Sequence, residues 1–221
     1  MLQYTKICSW YIHGKGEGRE REGKGMSTNI FYEIINLNDG FVTAADAAER
    51  GIQNRELSAA VARGELVKLD RGLYCAPDTW EDEYVVAQHR FACGTFSHDT
   101  ALYLLGLSDA APESLTMSFP RGYNPSSAKR FGIITKSSPK ELHELGASEA
   151  RTPYGNSVRA YCAERTLCDM LRGTSSPDLQ VISPAFRAYL ASADRSLPKL
   201  QVFADELGVS AKVRRFMEVL L

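Results

Sequence analysis

Residues 40–75 read GFVTAADAAERGIQNRELSAAVARGELVKLDRGLYC, and this stretch decides the fold. Thr43 is followed three residues later by Asp46, the spacing of a capping box at a helix start. Ala44 to Arg50 is alanine-rich and favours that helix. Gly51 stands where a left-handed C-terminal cap belongs. A second helix follows at once, with Asn54 as its N-cap, Leu57, Ala60 and Val61 as its apolar stripe, and Gly64 as its end. Two short helices joined across a glycine turn form a helix-turn-helix. Leu66–Leu69 and Leu73–Cys75 are extended runs around Asp70-Arg71-Gly72, which predicts a hairpin. Upstream, Ile30, Phe31, Ile34, Ile35 and Leu37 recur at helical spacing. Asn38-Asp39-Gly40 then breaks the chain, and Phe41-Val42 reads as a short extended step. Helix, helix, helix, hairpin is the order of a winged helix-turn-helix domain, assigned to residues 26–80.

In such a domain the second helix of the pair is the recognition helix, and its N-terminal residues face base edges in the major groove. Gln53 and Asn54 can read adenine and Arg55 can read guanine. Ser58 lies one turn further along the same face. Arg63, Lys68 and Arg71 fall where a helix end and a wing hold phosphates. These seven are the candidate DNA-binding residues. The local charge argues the other way. From Met26 to Trp80 five basic residues stand against eight acidic ones, a balance of −3. Most DNA-binding modules are basic, and winged helices also serve as protein-docking units, so both readings stay open. Dimerisation would raise DNA affinity by joining two weak contacts.

Composition sets the outer bounds. The chain has 221 residues, 26 Lys+Arg against 27 Asp+Glu, a net charge of −1 and 44% hydrophobic residues. That excludes a collagen, a coiled-coil rod and a wholly disordered chain. No apolar run approaches the roughly 20 residues of a membrane-spanning helix, so no membrane partner is expected. The five cysteines are scattered, without a Cys-x-x-Cys pair, and the four histidines add no ligand spacing. Reduced thiols in a cytoplasmic protein are expected, with no metal and no cofactor. Residues 1–25 include the low-complexity run from Gly14 to Gly25, which can bury almost nothing. They read as a disordered leader, or as a mis-assigned start ahead of Met26. Gly18 to Lys24 fits the first seven positions of a phosphate-binding loop. Gly25 stands where Ser or Thr is needed, and no strand precedes, so the context fails.

Residues 81–221 read as a mixed α/β domain ending in a helical tail, which makes the whole chain α+β. Glu81 to Cys93 is a helix candidate whose Glu81-Asp82-Glu83 start looks exposed. Ser97 is a candidate cap for Ala101–Leu107. Leu115–Phe119, Phe131–Thr135 and Val158–Cys162 read as strands. A short helix from Ser138 to Leu145 and another from Glu164 to Arg172 fit between and after them. Three further apolar stripes end at Leu221, the last on Val213, Phe216, Met217 and Leu220. Ser97-His98-Asp99 is three successive residues, whereas a catalytic triad is assembled across a fold. It reads instead as a helix start, where an acid suits the dipole. Arg165 and Asp169 are i, i+4 and pair along one helix, a structural ion pair. From Arg151 to Leu221 ten basic residues outnumber seven acidic ones, and the charges of the last helix read as its solvated face. No catalytic or metal constellation emerges, so a nuclease or kinase is disfavoured and the protein is expected to be non-enzymatic.

Four segments together resemble the AbiEi family, the antitoxins of type IV toxin–antitoxin (abortive infection) systems. They are Gly40–Ile52, Leu66–Tyr74, Ser97–Leu107 with its Ser-His-Asp-Thr-Ala-Leu start, and Ala163–Asp169 with Glu-Arg-Thr-Leu-Cys-Asp. In order, they span roughly residues 28 to 220. The resemblance implies a winged helix followed by an antitoxin domain. It implies a transcriptional autorepressor that binds inverted repeats in double-stranded DNA at its own promoter, and the symmetry of such a site predicts two copies, a homodimer, on it. It also implies neutralisation of a cognate nucleotidyltransferase-like toxin. The family's phosphate contacts map to Arg55, Arg63, Lys68 and Arg71. The alternative is a winged-helix interaction module that docks a partner protein without binding DNA.

Overall fold

A computed structural model describes residue 31 and residues 33–35, 40–173 and 179–220. The leader, the phosphate-loop-like run and the break at Asn38-Asp39 lie outside the described residues.

The expected capping box is present. Thr43 Oγ1 accepts from the Asp46 N–H at 3.0 Å, and the Asp46 carboxylate accepts from the Thr43 N–H at 3.1 Å. It starts α1, Ala44–Glu49. Gly51 turns the chain at φ +76° and Ile52 is buried beneath the turn. The second helix, α2, spans Asn54–Ala62, and its N-cap is Gln53 rather than Asn54. The reason is Glu56, whose carboxylate accepts the Gln53 N–H at 2.8 Å and fixes the start one residue earlier.

Three strands complete this unit: β1 Phe41–Thr43, β2 Val67–Asp70 and β3 Leu73–Cys75. The middle strand is β3, antiparallel to both neighbours. Side chains alternate across a strand, and here each face has a separate use. Val42 and Tyr74 point to the helices and join Ile34, Leu57 and Ala60 in one core. Phe41, Leu73 and Cys75 point the other way and meet Val85 and Val86 of α3, Glu83–Arg90.

The start of α3 differs from the sequence expectation. Asp82 is fully buried, not exposed. Its carboxylate accepts from the Tyr84 N–H at 2.9 Å, Thr152 Oγ1 at 2.6 Å and Asn156 Nδ2 at 2.7 Å. It caps the helix and ties down the turn between two distant strands, work that a local reading of three successive acids does not reveal.

Those strands belong to a second, mixed sheet of order β6-β5-β4-β8-β7. In chain order they are β4 Thr95–Phe96, β5 Thr116–Pro120, β6 Ile134–Ser138, β7 Ala147–Arg151 and β8 Ser157–Tyr161. The two-residue β4 and the half-polar β7 were not expected, and both lack a clear apolar alternation. Between them lie α4 His98–Leu104, α5 Ser126–Arg130 and α6 Lys140–His143. Phe131, expected to open a strand, instead ends α5. The chain closes with α7 Ala163–Leu171, α8 Leu179–Ala191, α9 Leu197–Glu206 and α10 Ser210–Leu220, which bury Leu167, Phe186, Tyr189, Phe203 and Val213 against one another. The architecture is α+β: a small winged unit, a five-stranded mixed sheet and a helical tail.

The Arg165–Asp169 pair forms as expected along α7, at 2.8 Å, and it is buried. Arg165 also donates to the Leu142 and Leu145 carbonyls at 2.6 and 2.7 Å and stacks 4.3 Å from the Tyr161 ring. Gly146 passes so close that a Cβ there would lie 2.7 Å from the Arg165 Cβ.

Candidate nucleic-acid interface

The recognition helix presents its first turn to solvent. Leu57 and Ala60 face the core, which leaves Gln53, Asn54, Arg55 and Ser58 on the exposed side. Arg55 has no hydrogen-bond or ion-pair partner among the described residues, so its fork is available to a base edge or a phosphate. Ser58 is less available as a donor, because its hydroxyl already donates to the Asn54 carbonyl at 3.0 Å.

The helix end behaves differently. Arg63 is exposed, but its guanidinium grips Glu65 with two bonds of 2.7 Å. Hydrogen bonding to Glu65 raises the Arg63 pKa further. A phosphate must therefore compete with a carboxylate at this position.

On the wing, Lys68 is exposed on β2 and Arg71 is exposed in the two-residue turn. Neither side chain has a partner among the described residues. The turn itself is held firmly. Gly72 adopts φ +75°, and its carbonyl accepts the Ala44 N–H at 2.8 Å. His89 Nε2 lies 3.2 Å from the Arg71 carbonyl, and Arg90 pairs with Asp70 at 3.2 Å. The sequence offered no signal for these last two contacts, because they join the wing to α3 across a loop. They fix the backbone beneath Arg71 while leaving its guanidinium in solvent.

Half of the eight acids in this unit have structural roles. Asp46 and Glu56 sit at helix N-termini, where the backbone dipole favours them. Glu65 and Asp70 are spent on Arg63 and Arg90. Four of the acids are thus structural, and among the described residues the cations left without partners are Arg55, Lys68 and Arg71, all exposed.

Residues 33–77 match the family described as "Transcriptional regulator, AbiEi antitoxin". The N-terminal unit is of the AbiEi antitoxin type. The AbiEi match contains the helix-turn-helix and the wing, and hence all seven candidate residues. It stops short of the Ser97 and Ala163 segments that also resemble the family. Among solved structures, the chain is similar to that of the RV2827C protein of Mycobacterium tuberculosis. The TM-score is 0.51 at 14% identity, over 87% of this chain and 80% of that one. At that identity the likeness concerns the fold. No curated protein matches the chain by sequence. Among the described residues no helix is long and apolar enough to cross a membrane.

Proposed function

We propose that this chain is an antitoxin and a transcriptional autorepressor that binds inverted repeats at its own promoter. The observation that carries the reading is the exposed set of Arg55, Lys68 and Arg71, without partners among the described residues, beside an open recognition-helix N-terminus. Gln53, Asn54 and Arg55 read bases in the major groove. Lys68 and Arg71 hold phosphates from the wing, and Arg63 joins them once released from Glu65. Two copies bind one site, because operator symmetry mirrors protein symmetry. Neutralisation of a nucleotidyltransferase-like toxin belongs to the same proposal, with the second sheet and helical tail as the antitoxin portion. The role is regulatory and non-enzymatic.

The test is fluorescence anisotropy with the DNA upstream of the gene, across a salt series, with random duplex as competitor. Binding that resists competitor and weakens steeply with salt supports a sequence reader. Binding that random DNA erases equally overturns it. The net acidity of the winged unit favours one second reading, a module that docks a partner protein, and absence of binding to any duplex supports that alternative.

A further inference from the structure

The β5 strand is buried on both faces, yet the two faces differ in chemistry. Met117 and Phe119 enter an apolar core, whereas Thr116 and Ser118 are polar and buried on the opposite face. In the parallel register Ser118 lies beside Lys136, and Ser138 follows two residues later on the same side. Across from this polar face runs α7 with Arg165 and Asp169, continuing to Arg172. Together with His98 they enclose a pocket of about 280 Å³.

The charge of the pocket is unbalanced. Lys136, Arg165 and Arg172 line it against one carboxylate, Asp169. That carboxylate is already committed: Oδ2 to Arg165 at 2.8 Å, with Oδ1 4.0 Å from Arg172. Two positive charges are left over, a match for one dianion. Lys136 has no partner among the described residues, and Arg172 has only that long contact.

His98 supplies the second observation. It is the sole described residue other than glycine with a left-handed backbone, at φ +51°. Such a conformation is sparsely populated for side-chain-bearing residues and gathers at ligand sites. Its Nδ1 lies 3.1 Å from Ser97 Oγ. His98 lines the pocket, its Nε2 has no partner among the described residues, and in the tautomer in which the Ser97 hydroxyl donates to Nδ1 the Nε2 carries the ring proton as a neutral donor. Burial, with Lys136, Arg165 and Arg172 nearby, lowers its pKa to about 4 and keeps it neutral.

We propose that this pocket binds a terminal phosphate monoester, held by Lys136, Arg172 and the His98 Nε2–H, with the serine hydroxyls of β5 and β6 completing its shell. A free mononucleotide or phosphorylated metabolite and the 5′-phosphate of a nucleic-acid strand offer the same group. The site lies outside the winged unit and does not rest on promoter binding.

The test is isothermal titration of the full chain with inorganic phosphate, a nucleoside 5′-monophosphate, and an oligonucleotide carrying either a 5′-phosphate or a 5′-hydroxyl. Saturable binding of phosphate is expected, weakened about tenfold or more by Lys136→Ala or Arg172→Ala. Lys129→Ala, an exposed cation on α5, leaves it unchanged. The His98 ring proton resonances shift on titration in wild type. Tighter binding of the mononucleotide identifies a small ligand. Tighter binding of the phosphorylated strand, with loss for its hydroxyl counterpart, identifies a strand end. Absence of saturable binding to every probe overturns the proposal, as does binding that survives both Lys136→Ala and Arg172→Ala. Unchanged thermal melts of these partly or fully exposed variants separate loss of binding from loss of fold.

Discussion

Arg63 reaches solvent with a partner already attached, and under the proposed DNA-binding role that makes Glu65 a brake on binding. Glu65→Gln keeps the shape and removes the charge, so Arg63 is freed for a phosphate. An exposed pair is worth up to about 1 kcal/mol, so promoter DNA should bind up to about fivefold tighter. The slope of log affinity against log salt should steepen by about one contact. An unchanged slope in the anisotropy series places Arg63 away from the DNA. Lys68→Ala and Arg71→Ala should act oppositely, weakening all sequences alike and flattening the slope. His98 gives a prediction about acid. Its pKa is depressed to about 4 from an ordinary 6.5, first by burial and then by Lys136, Arg165 and Arg172. Between those two values the unfolded chain binds the proton and the folded one does not. Stability contributed by neutral His98 is therefore complete above pH 6.5 and lost as the pH falls toward 4, by up to about 3 kcal/mol. His98→Asn, which tolerates the left-handed backbone, should flatten the thermal melting midpoint across that range. At this scale the sequence was legible where chemistry is local. Thr43 with Asp46, and the Arg165–Asp169 spacing, could be read directly. Burial of Asp82 and engagement of Arg63 could not, since both depend on what the folded chain brings near.

Helices with a clear apolar stripe or a cap were readable, and α1, α2, α7 and the tail lie within a few residues of expectation. Short strands were not. β4 has two residues, too few for any alternation to register, and exists because β5 and β8 both pair with it. In β7, Ser148, Glu149 and Arg151 hide the pattern, and its pairing along all five residues of β8 defines it. The buried pair on α7 shows how an element can be anchored by polarity as well as by its stripe. Arg165 ties α7 to one carbonyl within α6 and one just after it, so Arg165→Met should leave Asp169 buried without its cation and two carbonyls without a donor. Breaking one side of a buried pair costs about 3–5 kcal/mol. The double variant Arg165→Met with Asp169→Leu removes the orphaned charge, and it should recover part of that loss in urea denaturation. If the double variant is as unstable as the sum of both single changes, the pair contributes nothing by its charge complementarity.

For the molecule as a whole, the outer face of the small sheet decides how the parts communicate. A winged unit working alone would leave Phe41, Leu73 and Cys75 in water, but here they are buried with Val85 and Val86 of α3. The same helix is capped by Asp82, whose carboxylate also holds Thr152 and Asn156 beside the second sheet. One helix thus joins the winged unit to the sheet that follows, through an apolar contact on one side and a buried carboxylate on the other. The wing turn adds the Arg90–Asp70 pair and the His89 contact. Contacts of this kind make unfolding cooperative across the junction, so calorimetry should record one transition for the wild type. Val86→Asp places a charge against Leu73 and Cys75 without touching either inner core. It should split the melt into two transitions, the lower belonging to the winged unit, whose small core is now unsupported. It should also weaken promoter binding, because Arg71 loses the rigid turn beneath it and must be ordered on the DNA instead. A single, merely shifted transition with intact binding means that α3 is a spacer and that each unit stands on its own core.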